Sequence, residues 1–125
     1  MREAQEAVAK FNLERGWEKD TKCMKDLLLN ICEEVGEAWS IIKWVRGKKE
    51  EELLRKYKEE YEDFVGDSLY LILKIAWLLD IDSKQALMNT LKEYEKRFPA
   101  EIVRKKKHGN PLAGGVDNKK PKVRD

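Results

Sequence analysis

Residues 31–39 of the chain read ICEEVGEAW. This stretch sets three carboxylates, those of Glu33, Glu34 and Glu37, into the apolar middle of a predicted helix. Acidic side chains are seldom fully buried unless another group compensates their charge, and a bound cation is one such group. A solvated acidic edge, common on the helices of highly charged chains, is the alternative.

The helical periodicity around this stretch predicts an apolar seam beside a polar strip. At about 100° per residue, seven apolar residues fall on one narrow stripe that we expect to face a helical core. Glu34 and Glu37 lie on a flank of the stripe that they share with Asn30 and Trp44. The stripe consists of Met24, Leu28, Ile31, Val35, Ala38, Ile42 and Val45.

Length and charge indicate a single domain and do not indicate a nucleic-acid-binding protein. A chain of 125 residues, 42% of them hydrophobic, suffices for one core and one domain. The formal net charge of +2 does not indicate steering of the whole molecule toward nucleic acid, so a nucleic-acid partner is not expected. Residues 100–125 carry eight Lys or Arg against three Asp or Glu, so an anionic partner would meet this end first.

The cysteines and the apolar runs predict a cytoplasmic protein that does not enter a membrane. On one helix, Cys23 and Cys32 would lie on opposite sides and about 13 Å apart along the axis, which is too far for a disulfide. The start of the chain does not resemble a signal peptide, so we expect reduced thiols in the cytoplasm. The most apolar run, residues 69–79, is interrupted by Lys74 and is about half the ~20 residues that cross a bilayer.

Four main helices are predicted over residues 1–99. Gly16 and Gly47 mark the ends of the first two, and Pro99 closes the fourth. The second helix is capped at residue 20 or 21, and the third meets no breaker between residues 48 and 80. Asp82 or Ser83 caps the fourth helix, with Gln85 placed for a capping box if Asp82 is the cap.

The remaining chain reads as a tail. Residues 101–107 add a short turn, and residues 109–125 contain Gly, Pro and Lys without apolar periodicity. We therefore predict an all-α four-helix bundle over residues 1–99, followed by a loose, basic C-terminal tail over residues 100–125.

A second acidic pair supports the hypothesis of a cation site. Asp63 and Asp67 are one turn apart on the predicted third helix, so they share a face. If that face meets Glu34 and Glu37 across antiparallel helices, four carboxylates converge and repel one another unless a cation neutralises them. Oxygen ligands suit Mg²⁺ or Mn²⁺, whose other positions are filled by water and substrate phosphates.

Other metal and nucleophile chemistries fit the sequence poorly. A di-iron carboxylate bundle needs a Glu-x-x-His motif on each of two helices. The single histidine of the chain, His108, lies in the predicted tail. A di-iron centre, a zinc site and a Ser-His or Cys-His nucleophile are therefore not expected.

The acidic motifs resemble those of the MazG-like, all-α nucleotide pyrophosphohydrolases. That family has an E-E-x-x-E motif, an E-x-x-D motif on the next helix, and a basic helix that ends near R-[YF]-P. Residues 33–37 read EEVGE and residues 63–69 read DFVGDSL, and the resemblance runs from about Gln5 to Pro99.

The resemblance implies roles for the acidic residues. Glu34 and Glu37 match the family's Mg²⁺ ligands and Asp67 matches the aspartate of the second motif. Glu33 matches a leading glutamate that orients water, so Glu33 and Glu34 are the expected catalytic pair. The chain departs from the pattern at Phe64, where the family has glutamate, and we take Asp63 as the substitute ligand.

A second register of the same motif stays open. Residues 60–63 read EYED and match E-x-x-D literally, but the apolar half-helix that should follow the motif then begins too late. The register that ends at Asp67 is preferred for that reason.

The resemblance also implies substrate contacts. Trp44 matches an aromatic residue that stacks on the base, and Trp17 is a second stacking group or a lid on the core. Asn30 belongs to the same polar strip. The polar and basic positions expected to meet phosphates are Asn89, Lys92, Lys96 and Arg97.

The implied activity is hydrolysis of a nucleoside triphosphate, NTP or dNTP, to the monophosphate and pyrophosphate, for house-cleaning or control of the nucleotide pool. The very apolar second half of the third helix predicts a homodimer or tetramer. The alternative function is a non-catalytic helical dimerisation module whose basic tail binds an acidic protein or nucleic acid.

Overall fold

The computed structural model describes residues 1–105, in which every regular element is a helix. The helices are α1 (Arg2–Glu14), α2 (Met24–Ile42), α3 (Lys48–Lys56), α4 (Lys58–Leu78), α5 (Ser83–Arg97) and α6 (Ala100–Lys105). The all-α prediction is confirmed, and the four longest helices correspond to the four predicted ones. Most of the predicted tail, residues 106–125, lies outside the described residues.

The chain divides into two compact units. The first is Met1–Ala86 and holds α1 to α4 together with the start of α5. The second begins at Leu87 and holds the rest of α5 and α6. The acidic motifs all belong to the first unit.

Helix α4 is the centre of the first unit, where it packs against both α1 and α2. Its apolar half supplies most of the core, because Leu71, Leu73, Ala76 and Leu78 are all buried, as predicted. Leu27 of α2 packs against Leu71 and Leu78. Since the start of α2 meets the end of α4, the two helices run antiparallel.

Helix α1 ends in a glycine-dependent C-cap. Gly16 has φ 73°, and its N–H donates to Leu13 O while the N–H of Trp17 donates to Asn12 O. This is the Schellman arrangement, and the ring contact between Trp17 and Phe11, with centroids 6.0 Å apart, is the apolar contact that commonly accompanies it. The predicted end at Gly16 is confirmed.

The turn after α4 is held by groups from three segments. Ile81 N–H donates to Ala76 O in a second Schellman arrangement, with Asp80 at φ 54° in the position that usually favours glycine. The Gln5 side chain donates to Ile81 O and accepts from Ser83 N–H, which ties α1 to the start of α5. The Gln85 N–H donates to the Asp82 carboxylate, so Asp82 is the cap of α5.

The predicted boundaries of two helices are wrong. The single third helix is divided at Tyr57, whose ψ of 29° lies outside the helical range. Neither Gly nor Pro is present there. Helix α3 contacts α2 as well as the following α4. Helix α2 begins at Met24, after the predicted cap at residue 20 or 21, and it ends at Ile42, before the predicted end at Gly47.

The predicted core stripe of α2 is also shifted. Leu27 is the buried residue of this helix, whereas Leu28 and Val35 are each 52% exposed. Half-buried Ile31 lies against the core cluster. The predicted stripe is therefore confirmed at Met24 and Ile31, which pack against the core cluster, and wrong at Leu28 and Val35, whose apolar surface remains uncovered within the described chain.

Two further expectations concern the thiols and the membrane. Cys23 and Cys32 are both free. No helix within residues 1–105 has the length and apolar character needed to span a bilayer. The cytoplasmic location stays a prediction.

A buried amide joins α1 to α4. Asn12 is fully buried, its Nδ2 donates to Val8 O at 2.8 Å, and its Oδ1 accepts from Tyr70 Oη at 3.3 Å. Its backbone oxygen also caps the helix end at Trp17. A buried amide without these partners would lose its hydration uncompensated.

We expect Asn12→Ala to destabilise the fold by about 1–3 kcal/mol, because it leaves the Tyr70 hydroxyl without its acceptor. The matched control is Asn30→Ala on exposed α2 surface, which gains the same helix propensity and should change stability by less than about 0.5 kcal/mol. Urea denaturation of both variants measures the difference. Equal costs for the two variants would contradict a special role for the buried amide.

Candidate active site

A cleft of about 210 Å³ lies between α2 and α4. Its walls include Glu34 and Glu37 from α2 and Asp63 and Asp67 from α4, the four carboxylates that the sequence predicts to meet. The spacings of three residues on α2 and four on α4 turn each pair to one side of its helix. The antiparallel packing of the two helices then brings both sides together.

A second cleft, of about 330 Å³, adjoins the first. Asn30 and Glu33 line it, and Glu34 and Asp67 line both clefts. Glu34 and Asp67 therefore stand between the two spaces, and they are the acidic groups that a ligand in either space would meet.

The first cleft also contains residues from the second register of the acidic motif. Glu60 lines it together with Asp63, and Phe64 forms part of its wall. Glu60, Asp63 and Asp67 recur at steps of three and four residues, which is the signal that places all three on one helix face. The choice between the two registers is therefore not exclusive, since both contribute carboxylates to one cleft.

The surroundings of Glu34 raise its proton affinity. Partial burial, followed by the charge of Asp67 and then those of Glu37, Glu33 and Asp63, raises the pKa of Glu34 above its ordinary 4.5. Each of these causes disfavours the ionised form. Glu34 is thus the group on which the repulsion in the site is concentrated.

The carboxylates of the cleft fit a hard divalent cation in chemistry, and their side chains must turn inward to bind one. Carboxylate oxygens are the ligands that Mg²⁺ and Mn²⁺ prefer, and the repulsion at Glu34 is what such an ion would relieve. Within residues 1–105, no three acidic, histidine or cysteine side chains already converge as metal ligands. Binding of an ion by Glu34, Glu37, Asp63 and Asp67 therefore requires their side chains to turn toward it.

The two predicted stacking residues lie in different surroundings. Trp17 lines a separate cleft of about 520 Å³ together with Lys74, whose Nζ is 5.3 Å from the centre of the indole ring. Trp44 is 86% exposed and lies beyond the end of α2 at Ile42, so its predicted helical flank, shared with Glu34 and Glu37, is wrong.

The predicted phosphate contacts belong to the second unit. Asn89, Lys92, Lys96 and Arg97 all lie on its part of α5. Arg97 Nη1 is 4.0 Å from Glu93 Oε1, and its guanidinium carbon is 5.2 Å from the ring centre of Phe98. The role of these four residues stays a prediction.

Two tyrosines beside the acidic clefts were missed by the sequence reasoning. Tyr70 lines the second cleft, and its position three residues after Asp67 is a signal that could have found it. Tyr61 Oη donates to Ala38 O at 2.9 Å across the α2–α4 pair. Burial and then the charge of Glu50 raise the pKa of Tyr61 above 10.0, so the phenol stays protonated and able to donate at neutral pH.

The fold and the clefts define an all-α protein with an acidic site between two antiparallel helices. A crystal structure of a pyrophosphatase from Archaeoglobus fulgidus superposes on this chain with a TM-score of 0.66 at 30% sequence identity, over 79% of this chain and 92% of that one. No family model matches the sequence, and no curated protein matches it. The chain belongs to the family of this pyrophosphatase.

We expect Glu34→Gln to stabilise the metal-free protein at neutral pH. Because the folded-state pKa of Glu34 is raised, the native state holds its proton more tightly than the unfolded chain. Its favourable contribution is complete below pH 4.5 and is lost as the pH rises through the folded-state pKa.

Thermal unfolding as a function of pH checks this expectation. Relative to the wild type, Glu34→Gln should have a higher midpoint at neutral pH, with the difference vanishing in acid. Glu62→Gln, an exposed substitution on α4, serves as the control. A Glu34→Gln midpoint at or below that of the wild type at neutral pH would show that the carboxylates do not repel.

Proposed function

We propose that this chain is a MazG-like nucleoside triphosphate pyrophosphohydrolase that cleaves NTP or dNTP between the α and β phosphates. The observation that carries the proposal is the cleft that collects five carboxylates, those of Glu34, Glu37, Glu60, Asp63 and Asp67, from two antiparallel helices. The similarity to a pyrophosphatase supports chemistry on a phosphoanhydride. House-cleaning or control of a cytoplasmic nucleotide pool is the corresponding cellular role.

The acidic residues divide the work of the reaction. Glu34, Glu37, Asp63 and Asp67 hold Mg²⁺, or Mn²⁺ in its place, and Glu34 gains most because its charge is the most opposed. When bound, the ion neutralises phosphate oxygens and lowers the pKa of a water molecule. Glu33 lines the adjoining cleft, where its carboxylate orients the attacking water and accepts a proton.

The remaining predicted residues bind the nucleotide. Asn30 lies in the second cleft beside Glu33 and offers an amide to the sugar or phosphates. Trp17 and Trp44 supply aromatic faces, which stack on any base. The cationic groups for the leaving pyrophosphate come from Lys92, Lys96 and Arg97, with Asn89 beside them on the same helix.

We expect Mg²⁺-dependent release of pyrophosphate and a nucleoside monophosphate from at least one member of a panel of canonical and modified NTPs and dNTPs. Glu34→Gln and Asp67→Asn should each lower the rate by at least the roughly 10–100-fold that loss of an outer-shell partner costs a metal site. A coupled pyrophosphate assay, with product identity checked by chromatography, provides the measurement.

The controls separate this activity from the alternative function. Glu62→Gln removes the same charge from α4 at a residue that does not line the cleft, so it should leave the rate unchanged. Mg²⁺ should raise the unfolding midpoint of the wild type, because an ion that binds only the native state stabilises it. No hydrolysis and no Mg²⁺ effect on stability would favour the non-catalytic module with an acidic partner instead.

We also propose that the chain forms a homodimer or a tetramer. Leu28, Val35 and Trp39 follow one another at steps of seven and four residues, and they are 52%, 52% and 60% exposed. Val65 and Leu69 of α4 are likewise exposed. Exposed apolar patches of this kind mark association surfaces, and identical chains commonly pair through one shared patch.

Light scattering after size exclusion should therefore give at least twice the mass of the chain. Val35→Lys should shift the protein toward the monomer without unfolding it, because the side chain is exposed in the single chain. Ser40→Lys is the matched control, because Ser40 is exposed on α2 and is not one of the apolar residues of the proposed association surface. This variant should keep the larger mass. A wild-type monomer at micromolar concentration would contradict the proposal.

A further inference from the structure

The α2–α4 pair is held at two points that lie far apart along the helices. The first is the apolar cluster of Leu27, Leu71 and Leu78. The second is the hydrogen bond of 2.9 Å from Tyr61 Oη to Ala38 O. Ala38 is eleven residues after Leu27, so the two points are about 16 Å apart at 1.5 Å per residue.

Two carboxylates of the first cleft, those of Glu37 and Asp63, lie nearer to the second point. Ala38 follows Glu37 directly in the chain, and Tyr61 lies two residues before Asp63. Ala38 itself lines the cleft with both acids. The Tyr61 hydroxyl therefore joins the backbone of one acidic wall to the helix that carries the other wall.

Tyr61 acts from outside the metal-binding face. Two residues turn a helix by about 200°, so the Tyr61 side chain leaves α4 on the side away from Asp63. Its hydroxyl proton is donated to a backbone carbonyl that Ala38 retains under any substitution of its side chain. The phenol fixes the separation of the helices without serving as a ligand.

Separation of the walls matters because the carboxylates do not already converge. Mg²⁺ demands near-ideal octahedral geometry with oxygen distances of about 2.0–2.1 Å, so small errors in helix placement weaken binding. The carboxylates must turn inward to reach an ion, and the space they turn into is set by the distance between α2 and α4.

We propose that Tyr61 is a positioning residue for the divalent cation, holding the Glu37 and Asp63 walls at the separation that lets their carboxylates close on the ion. The inference rests on the proposed function, which supplies the ion. It predicts that removing one hydroxyl, which no substrate or metal touches, changes the response to Mg²⁺.

Tyr61→Phe keeps the ring and removes the hydrogen bond. We expect the Mg²⁺ concentration for half-maximal activity, and the Mg²⁺ dissociation constant from calorimetry, to rise about 2- to 10-fold, the equivalent of one neutral hydrogen bond. At saturating Mg²⁺ the kcat should recover, because excess ion compensates for the weaker site. All measurements are made on the full chain at a temperature well below its unfolding midpoint.

Two control variants separate positioning from stability. Tyr57→Phe removes a hydroxyl one helical turn earlier and should leave the Mg²⁺ response unchanged. Leu73→Ala cuts into the core, so it should lower the unfolding midpoint more than Tyr61→Phe does, yet leave the Mg²⁺ constant of the folded protein unchanged.

The outcomes distinguish the inference from the function on which it rests. If the wild type and Tyr61→Phe bind Mg²⁺ with the same dissociation constant, the positioning role is overturned and the proposed function is unaffected. A wild type that binds no Mg²⁺ overturns both. A Mg²⁺ constant that rises equally in Tyr61→Phe and Leu73→Ala also overturns the role, since the effect would then follow stability alone.

Discussion

Repulsion among carboxylates that the fold forces together is the constraint on which this structure depends. The packing of α2 against α4 partly buries Glu34 and places it among like charges from both helices, and both effects disfavour its ionised form. A protein gains nothing in stability from such an arrangement while no cation is present. Under the proposed function this cost prepares a cation site, because the same charges that oppose one another would attract a divalent ion.

The means of holding the charges together lie outside the charged cleft. The apolar half of α4 is buried against α1 and α2, and its core contacts begin at Leu71, one helical turn after Asp67. Tyr61 braces the acidic end with a hydrogen bond to the α2 backbone. Asn12, fully buried on α1, fixes Tyr70 at the wall of the adjoining cleft. Apolar burial and neutral hydrogen bonds therefore oppose the electrostatic repulsion.

Besides the acidic clefts, the α2–α4 pair has an apolar surface that is uncovered within residues 1–105. Helix α2 carries apolar residues on more than one side, and the periodicity selects only some of those that face α4. Leu27 is buried while Leu28 and Val35 remain about half exposed. Within the described chain α2 is covered by α4 and α3, and the exposed apolar residues are those of the proposed association surface. The site and the proposed association surface are thus consequences of how one helix pair is rotated.

The sequence by itself determined the features that depend on near neighbours in the chain: the all-α class, the glycine cap at Gly16, a cap of α5 at Asp82 or Ser83, and the acidic faces with their spacing of one turn. These follow from backbone geometry and helical periodicity, which act over a few residues. Only the tertiary structure decided the break at Tyr57, the exposure of Trp44, the place of Glu60 in the cleft and the brace from Tyr61. Those depend on the relative rotation and packing of helices, and no local spacing specifies that.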